Sequence, residues 1–419
     1  MINRDYLLNK LMLRRHNNMI KVITGMRRCG KSYLLFNIFA NALLSEGVKE
    51  DHIIKINLED RRRKNLRDPD ALLNYIDSKL VDKDMYYILL DEVQYVKEFE
   101  DVLNSYLHIH NADVYVTGSN ARFLSKDVIT EFRGRGDEIH INPLSFAEFI
   151  GTPFKKDLPR EELILEYITY GGLPQVVLME GDSEKRTFLR SLFSHTYLKD
   201  IKERHNIKLD GDLEELLSIL ASSIGGLTNP RKLANTFKSV KGSDITQDTV
   251  KKYLEYLQDA FIVEKALRYD IKGKRYIDTP AKYYFEDLGL RNARLNFRQM
   301  EETHLMENLI YNELRRRDMD VDVGELTEMV VKPDGGNERH HLEIDFVCNQ
   351  GFRRCYIQSA YRIYDEVKME QELRSLRKIA DSFRKVVITW DSSPQYQNDD
   401  GILFVSLYDF LTNQDNVLV

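Results

Sequence analysis

The stretch that most limits what this chain can become is Lys21 to Ser32, KVITGMRRCGKS, a short apolar run that ends in G-x-x-x-x-G-K-S and opens a helix-compatible segment. The spacing predicts a strand, a curled loop and a helix in that order. Gly25 and Gly30 allow the backbone to curl with its N–H groups inward, where a Cβ would obstruct an anion. Lys31 supplies a point charge suited to the β- and γ-phosphates of a nucleotide, and Ser32 a hydroxyl suited to Mg²⁺. The helix read over 33–44 aims the positive end of its dipole at the same place. Gly25, Met26, Arg27, Arg28, Cys29, Gly30, Lys31, Ser32 and Tyr33 are therefore the expected ATP-binding residues. The plain alternative is an ordinary glycine-containing strand-to-helix turn.

From about residue 20 to 142, strand patterns alternate with helix patterns, as in a parallel sheet with helices on both faces. A strand is read over 52–58, a solvated loop at Arg61 to Lys64, and a helix start at Asp68-Pro69. Tyr86 to Gln94, YYILLDEVQ, matters as much as the loop, because a buried apolar strand has no packing reason to end in two carboxylates. Asp91 is expected to hold the Mg²⁺ shell and Glu92 to polarise the water that attacks the γ-phosphate. The alternative is a strand running out into a polar loop with both acids merely solvated. A strand over 113–117 runs into Ser119 and Asn120, which would sense the γ-phosphate or cap the next helix. Arg133 and Arg135 stand on a glycine-flanked turn, as arginine fingers acting on a neighbouring subunit or as surface groups paired with Glu131 or Asp137.

Together GMRRCGKS, ILLDEVQ, VTGSN, FRGR, INPLSFAEF and YGGLP (Tyr170 to Pro174) resemble the prokaryotic AAA-type ATPases that carry a DUF4143 region after the ATPase core. The resemblance covers most of the chain. It implies a nucleoside-triphosphatase of the AAA+ or a related class, with an extra strand between the P-loop strand and the Walker B strand. Length supports several domains, since 419 residues exceed one ordinary core. The expected division is a P-loop ATPase core at 1–155, a helical lid at 156–225, a winged helix at 226–295 and a degenerate PD-(D/E)XK nuclease-like α/β domain at 296–419. A net charge of -6 argues against a globally basic nucleic-acid binder. Cys29, Cys348 and Cys355 show neither metal-ligand spacing nor a disulfide framework, and no apolar run reaches membrane-span length, so a cytoplasmic protein is expected.

Helices are read over 161–168 and 212–221, with Gly171-Gly172 as a hinge or a simple loop between helices. Thr228 to Phe237 reads as a loop, Thr246 to Leu257 as a helix, and two strand-like runs flank Lys272-Gly273-Lys274. Short helices followed by a hairpin suggest a winged helix. If it contacts DNA, Gln247, Thr249, Lys251 and Lys252 would face the major groove, and Lys272, Lys274 and Arg275 would bind phosphates. Glu255 and Asp259 dilute that face, and a protein-protein role is the alternative. In the last portion a helix with Glu307 and Glu313 precedes strands at 342–347 and 354–360, a spacing that resembles PD-(D/E)XK nucleases. Glu307 and Asp345 match that family's acids. Gln358 and Ala360 replace its Glu and Lys, so cleavage should be lost, with weak metal binding or plain hydrogen bonding left for the two acids. A homo-oligomer is also expected if an arginine acts in trans.

Overall fold

Five apolar segments near the amino end line up as one parallel sheet: β1 (Ile20–Thr24), β2 (Ile53–Asn57), β3 (Tyr86–Asp91), β4 (Ala112–Thr117) and β5 (Gly136–His140), in the order β2-β3-β4-β1-β5. This computed structural model describes residues 2–118, 134–155, 158–207, 210–241, 245–331 and 337–413. Every residue of β1 and β3 is buried, as expected of strands covered on both faces. Helix α1 (Asp5–Leu13) precedes β1, and α2, residues 31–45, follows the glycine loop with a π-helical turn at Leu34–Phe39. α3 (Pro69–Asp77) starts where the sequence says it should, with Asp68 accepting from the Ala71 N–H at 3.0 Å and Pro69 in the first turn. It packs with α4 (Phe99–Tyr106) on one face of the sheet, burying Leu72, Ile76, Phe99 and Leu103 against Ile56, Ile88 and Val116.

β4 lies between β1 and β3, so the two motif strands are separated by one strand and their carboxyl ends flank that of β4. In an open parallel sheet this edge is where ligands bind. This sheet and its helices form one compact unit, Met1–Pro143 with Asp259–Phe261; Leu144–Gln258 and Ile262–Val419 form the second.

The second unit begins with helices: α5 (Phe146–Ile150), α6 (Arg160–Tyr170), α7 (Pro174–Val177), α8 at residues 182–205, α9 (Asp210–Ser222), α10 (Pro230–Lys241) and α11 (Gln247–Asp259). The reading of 228–237 as a loop fails. Asn229 is an N-cap, accepting from the Lys232 N–H at 2.7 Å, and Pro230 opens α10. Gly171-Gly172 is a clamped turn. Gly171 has φ +75°, a Cβ there would lie 2.3 Å from the Asp287 carboxylate, and the Gly172 N–H donates to that carboxylate at 2.9 Å.

After α11 come β6 (Val263–Asp270), β7 (Arg275–Phe285), α12 (Leu288–Arg294), α13 (Glu302–Arg316), β8 (Asp320–Val331), β9 (Asn337–Gln350), β10 (Arg353–Ala360), α14 (Glu366–Arg377), β11 (Arg384–Thr389), β12 (Tyr396–Gln397), β13 (Leu403–Ser406) and α15 (Leu407–Thr412). The eight strands form one mixed sheet in the order β12-β13-β11-β10-β9-β8-β6-β7. The hairpin expected to be a wing is the edge of this sheet: β6 pairs with β8 through Arg268, Tyr269 and Asp270.

Candidate functional site

Local backbone geometry explains the glycine loop. Gly25 sits at φ +138°, and a Cβ there would lie 2.2 Å from the Ile141 carbonyl oxygen just past β5, so no side chain is tolerated. Arg28 (φ 65°) and Gly30 (φ 101°) complete the curl into α2. Lys31 is buried and bridges the loop, its Nζ donating to the carbonyls of Gly25 at 2.9 Å and Met26 at 3.0 Å. Arg4 braces the loop from outside, with Nη1 on the Cys29 carbonyl at 3.0 Å and Nη2 on the Asn142 carbonyl at 2.9 Å. Nothing in the sequence flags Arg4, because its partners lie 25 and 138 residues away.

The two motifs meet at Asp91. Its Oδ1 accepts from Ser32 Oγ at 2.8 Å and from Thr117 Oγ1 at 2.6 Å, and the Glu92 N–H donates to Thr117 Oγ1 at 2.9 Å. Burial pushes the Asp91 carboxyl above its ordinary range; the Thr117 and Ser32 hydroxyls and the Lys31 charge oppose the shift, and the neighbouring Glu92 charge adds to it. Thr117 is thus a site residue the sequence reading missed. Glu92 has a left-handed backbone, φ 56° and ψ 52°, which re-aims its side chain just past the strand end. Its Oε2 accepts from the Gln94 side-chain amide.

The other expected residues separate by position. Met26 and Cys29 are fully buried and pack beneath the loop, so only their backbones can serve a ligand. Arg27 pairs with Glu59 at 3.2 Å, and Arg28 and Tyr33 are exposed. Arg135 is exposed, its carbonyl accepting from the Ile20 N–H at 2.9 Å, while Asp137 pairs with Arg14 at 3.0 Å. Ser119, Asn120, Glu131 and Arg133 lie outside the described residues. A buried carboxylate hydrogen-bonded to the P-loop hydroxyl, with an ammonium held on the same loop, is a hard-oxygen donor set that fits Mg²⁺ and a triphosphate.

In the second unit, Gln247, Lys251, Lys252 and Glu255 are exposed on α11, and Thr249 is half-buried. On the hairpin, Lys272 donates to the Thr327 carbonyl at 3.3 Å and Arg275 pairs with Asp270 at 3.4 Å, leaving Lys274 at the tip. α10 and its cap line an open groove of about 470 Å³ with Asn229, Arg231, Lys232, Asn235, Thr236 and Ser239. Glu307 and Asp345 are buried; Ala360 packs into a hydrophobic cluster with Leu373 and Leu376, and Gln358 Oε1 lies 3.5 Å from the Asp345 N–H nitrogen.

Residues 17–150 match the model of an AAA domain, and residues 161–301 match a domain of unknown function, DUF8612. The region after the ATPase core thus matches DUF8612 where the motifs suggested DUF4143. An uncharacterized protein of Haemophilus influenzae is 34% identical over 98% of this chain and 98% of its own length. An uncharacterized protein of Methanocaldococcus jannaschii is 29% identical over 97% of this chain and 88% of its own. Among solved structures, the Aeropyrum pernix ORC1 protein in complex with DNA has 12% identity and a TM-score of 0.32, covering 70% of this chain and 92% of that one. Cdc6p of Pyrobaculum aerophilum has 13% identity and a TM-score of 0.31, covering 73% and 95%. Similarity at that level carries no argument about ligand or partner. Among the described residues, no helix is long and apolar enough to cross a membrane.

Proposed function

We propose, from the premise that this chain belongs to one full-length family with the Haemophilus influenzae protein and carries an AAA domain at residues 17–150, that it binds ATP with Mg²⁺ and hydrolyses it. The contact that carries this reading is Ser32 Oγ to Asp91 Oδ1 at 2.8 Å, on the loop that Lys31 spans. Ser32 and Asp91 would hold Mg²⁺, which, when bound, neutralises charge on the phosphate oxygens. Lys31 exchanges the Gly25 and Met26 carbonyls for phosphate oxygens, and the inward backbone from Gly25 to Ser32 cradles them. Glu92 orients the attacking water and accepts its proton, with Thr117 fixing the Glu92 backbone. Asn120 as γ-phosphate sensor and Arg133 or Arg135 as a finger in a homo-oligomer complete the assignment.

The cycle would reposition a helical lid (156–225), a winged helix (226–295) and a carboxyl-terminal domain without nuclease activity (296–419) on a DNA or protein partner in the cytoplasm. The exposed Gln247, Lys251 and Lys252 and the α10 groove support nucleic acid as that partner. A second reading, a non-catalytic scaffold that holds ATP as a structural ligand, draws on Gln94, whose amide already engages the Glu92 carboxylate. Phosphate release by wild type and Glu92→Gln, with and without DNA, separates the two. Absence of turnover in the wild type under both conditions leaves the scaffold.

A further inference from the structure

The second unit contains a buried acidic centre that the ATP site does not use. Glu307 of α13 and Asp345 of β9 are 6% and 8% exposed, and Glu343, whose side chain is 39% exposed, stands two residues before Asp345 at the rim of the centre. The connectivity around them is helix α13, strands β8, β9 and β10 in antiparallel succession, helix α14, then β11 parallel to β10. That is the order behind the nuclease resemblance, in which such acids gather a divalent metal.

Here a cation is already in place. Lys282, on β7 and 2% exposed, reaches Glu307 Oε1 at 2.8 Å and Glu343 Oε1 at 2.7 Å. Tyr284 Oη donates to the same Glu307 oxygen at 2.6 Å, and Asp345 Oδ2 accepts from the Ser359 N–H at 2.7 Å. On the far side His304 Nδ1 lies 3.9 Å from Glu307 Oε2, beside the turn at Gly225 (φ +74°). A divalent ion needs oxygens on all sides. Gln358 and Ala360 supply no anionic oxygen, and Lys282 takes two of the acids.

We infer that the Lys282 ammonium is the resident cation of this centre, that it closes the centre to Mg²⁺ and Mn²⁺, and that removing it turns Glu307, Glu343 and Asp345 into a divalent-cation site. A point charge with three donors satisfies two carboxylates without the full oxygen shell a metal demands. Without it, buried carboxylates are left uncompensated, a situation relieved by taking in a proton or another cation.

The test uses nucleotide-free full-length protein in EDTA or in Mn²⁺, read by melting temperature and by the Mn²⁺ electron paramagnetic resonance signal. Lys282→Met should melt several degrees lower than wild type in EDTA, recover in Mn²⁺, and bind one Mn²⁺ more than wild type. Lys282→Met/Glu307→Gln should lose both the recovery and the added ion, and Lys282→Arg should behave as wild type. If Lys282→Met is unfolded in EDTA, refolding with Mn²⁺ supports the inference and failure to refold overturns it. Equal melting of Lys282→Met in EDTA and Mn²⁺, or Glu307-dependent Mn²⁺ uptake by wild type or Lys282→Arg, also overturns it.

Discussion

Thr117→Val removes one hydroxyl at the junction of the two motifs and almost nothing else. The hydroxyl donates to the Asp91 carboxylate at 2.6 Å and accepts from the Glu92 N–H at 2.9 Å, with Thr117 fully buried. A hydrogen bond to a charged group contributes about 1.5–3 kcal/mol and a neutral one about 0.5–1.5 kcal/mol. Valine nearly fills the same volume, so no sizeable cavity term is added, and the expected loss is about 2–4 kcal/mol. The change also removes the principal hydrogen bond opposing burial at Asp91, so the carboxyl pKa rises further and ATP turnover falls with it. Thr117→Ser keeps the hydroxyl and should retain most of the stability and turnover. Urea unfolding followed by circular dichroism, with hydrogen exchange of β3 and β4 amides, measures the cost. A Thr117→Val protein within about 0.5 kcal/mol of wild type, and equally active, would refute the claim that this hydroxyl joins the motifs.

Gly25→Ala should lose nucleotide binding and more than about 2 kcal/mol of stability, because the left-handed backbone and the Ile141 carbonyl at 2.2 Å leave no room; equilibrium dialysis with ATP and a thermal melt check both. Burial raises the Asp287 carboxyl to about 6, against an unfolded value near 3.9, so the folded state binds more protons between those values and its stability falls as pH rises through that window. The loss is about 3 kcal/mol, and Asp287→Asn, less stable overall because it gives up part of the clamp on Gly172 and Leu290, should lack that slope in melts from pH 4 to 7. For the partner, Lys251→Ala/Lys252→Ala should weaken DNA binding evenly across sequences and reduce the salt slope by about 2; unchanged anisotropy titrations would leave the α11 face without a nucleic-acid role.

The parts of the fold written locally were legible. The P-loop, the acid-ended β3 and the Asp68-Pro69 helix start each declare themselves within about ten residues, through backbone constraints that hold in any context. Asn229-Pro230 carries the same kind of signal, an N-cap followed by a first-turn proline, inside a stretch that reads as a loop. What the sequence hid were groups defined by partners far along the chain. Thr117 becomes a site residue only because β4 inserts between β1 and β3. Gly171-Gly172 reads as a hinge or a simple loop until Asp287, 115 residues on, is seen to clamp it. Nothing local marks Lys282, which stands out only once Glu307 and Glu343 close on it. The β6–β8 pairing was hidden for a related reason: a strand pattern shows a hairpin but not which strand its outer edge will meet.

In the proposed function Lys31 and Ser32 grip a triphosphate while Asp91 and Glu92 manage its magnesium and its water. The most direct measurement follows binding and cleavage of γ-labelled ATP in Mg²⁺ by wild type, Lys31→Ala and Glu92→Gln. Wild type should bind and cleave, Glu92→Gln should bind with cleavage reduced about 100-fold or more, and Lys31→Ala should do neither. Wild-type affinity and cleavage in Lys31→Ala, or undiminished cleavage in Glu92→Gln, would contradict it.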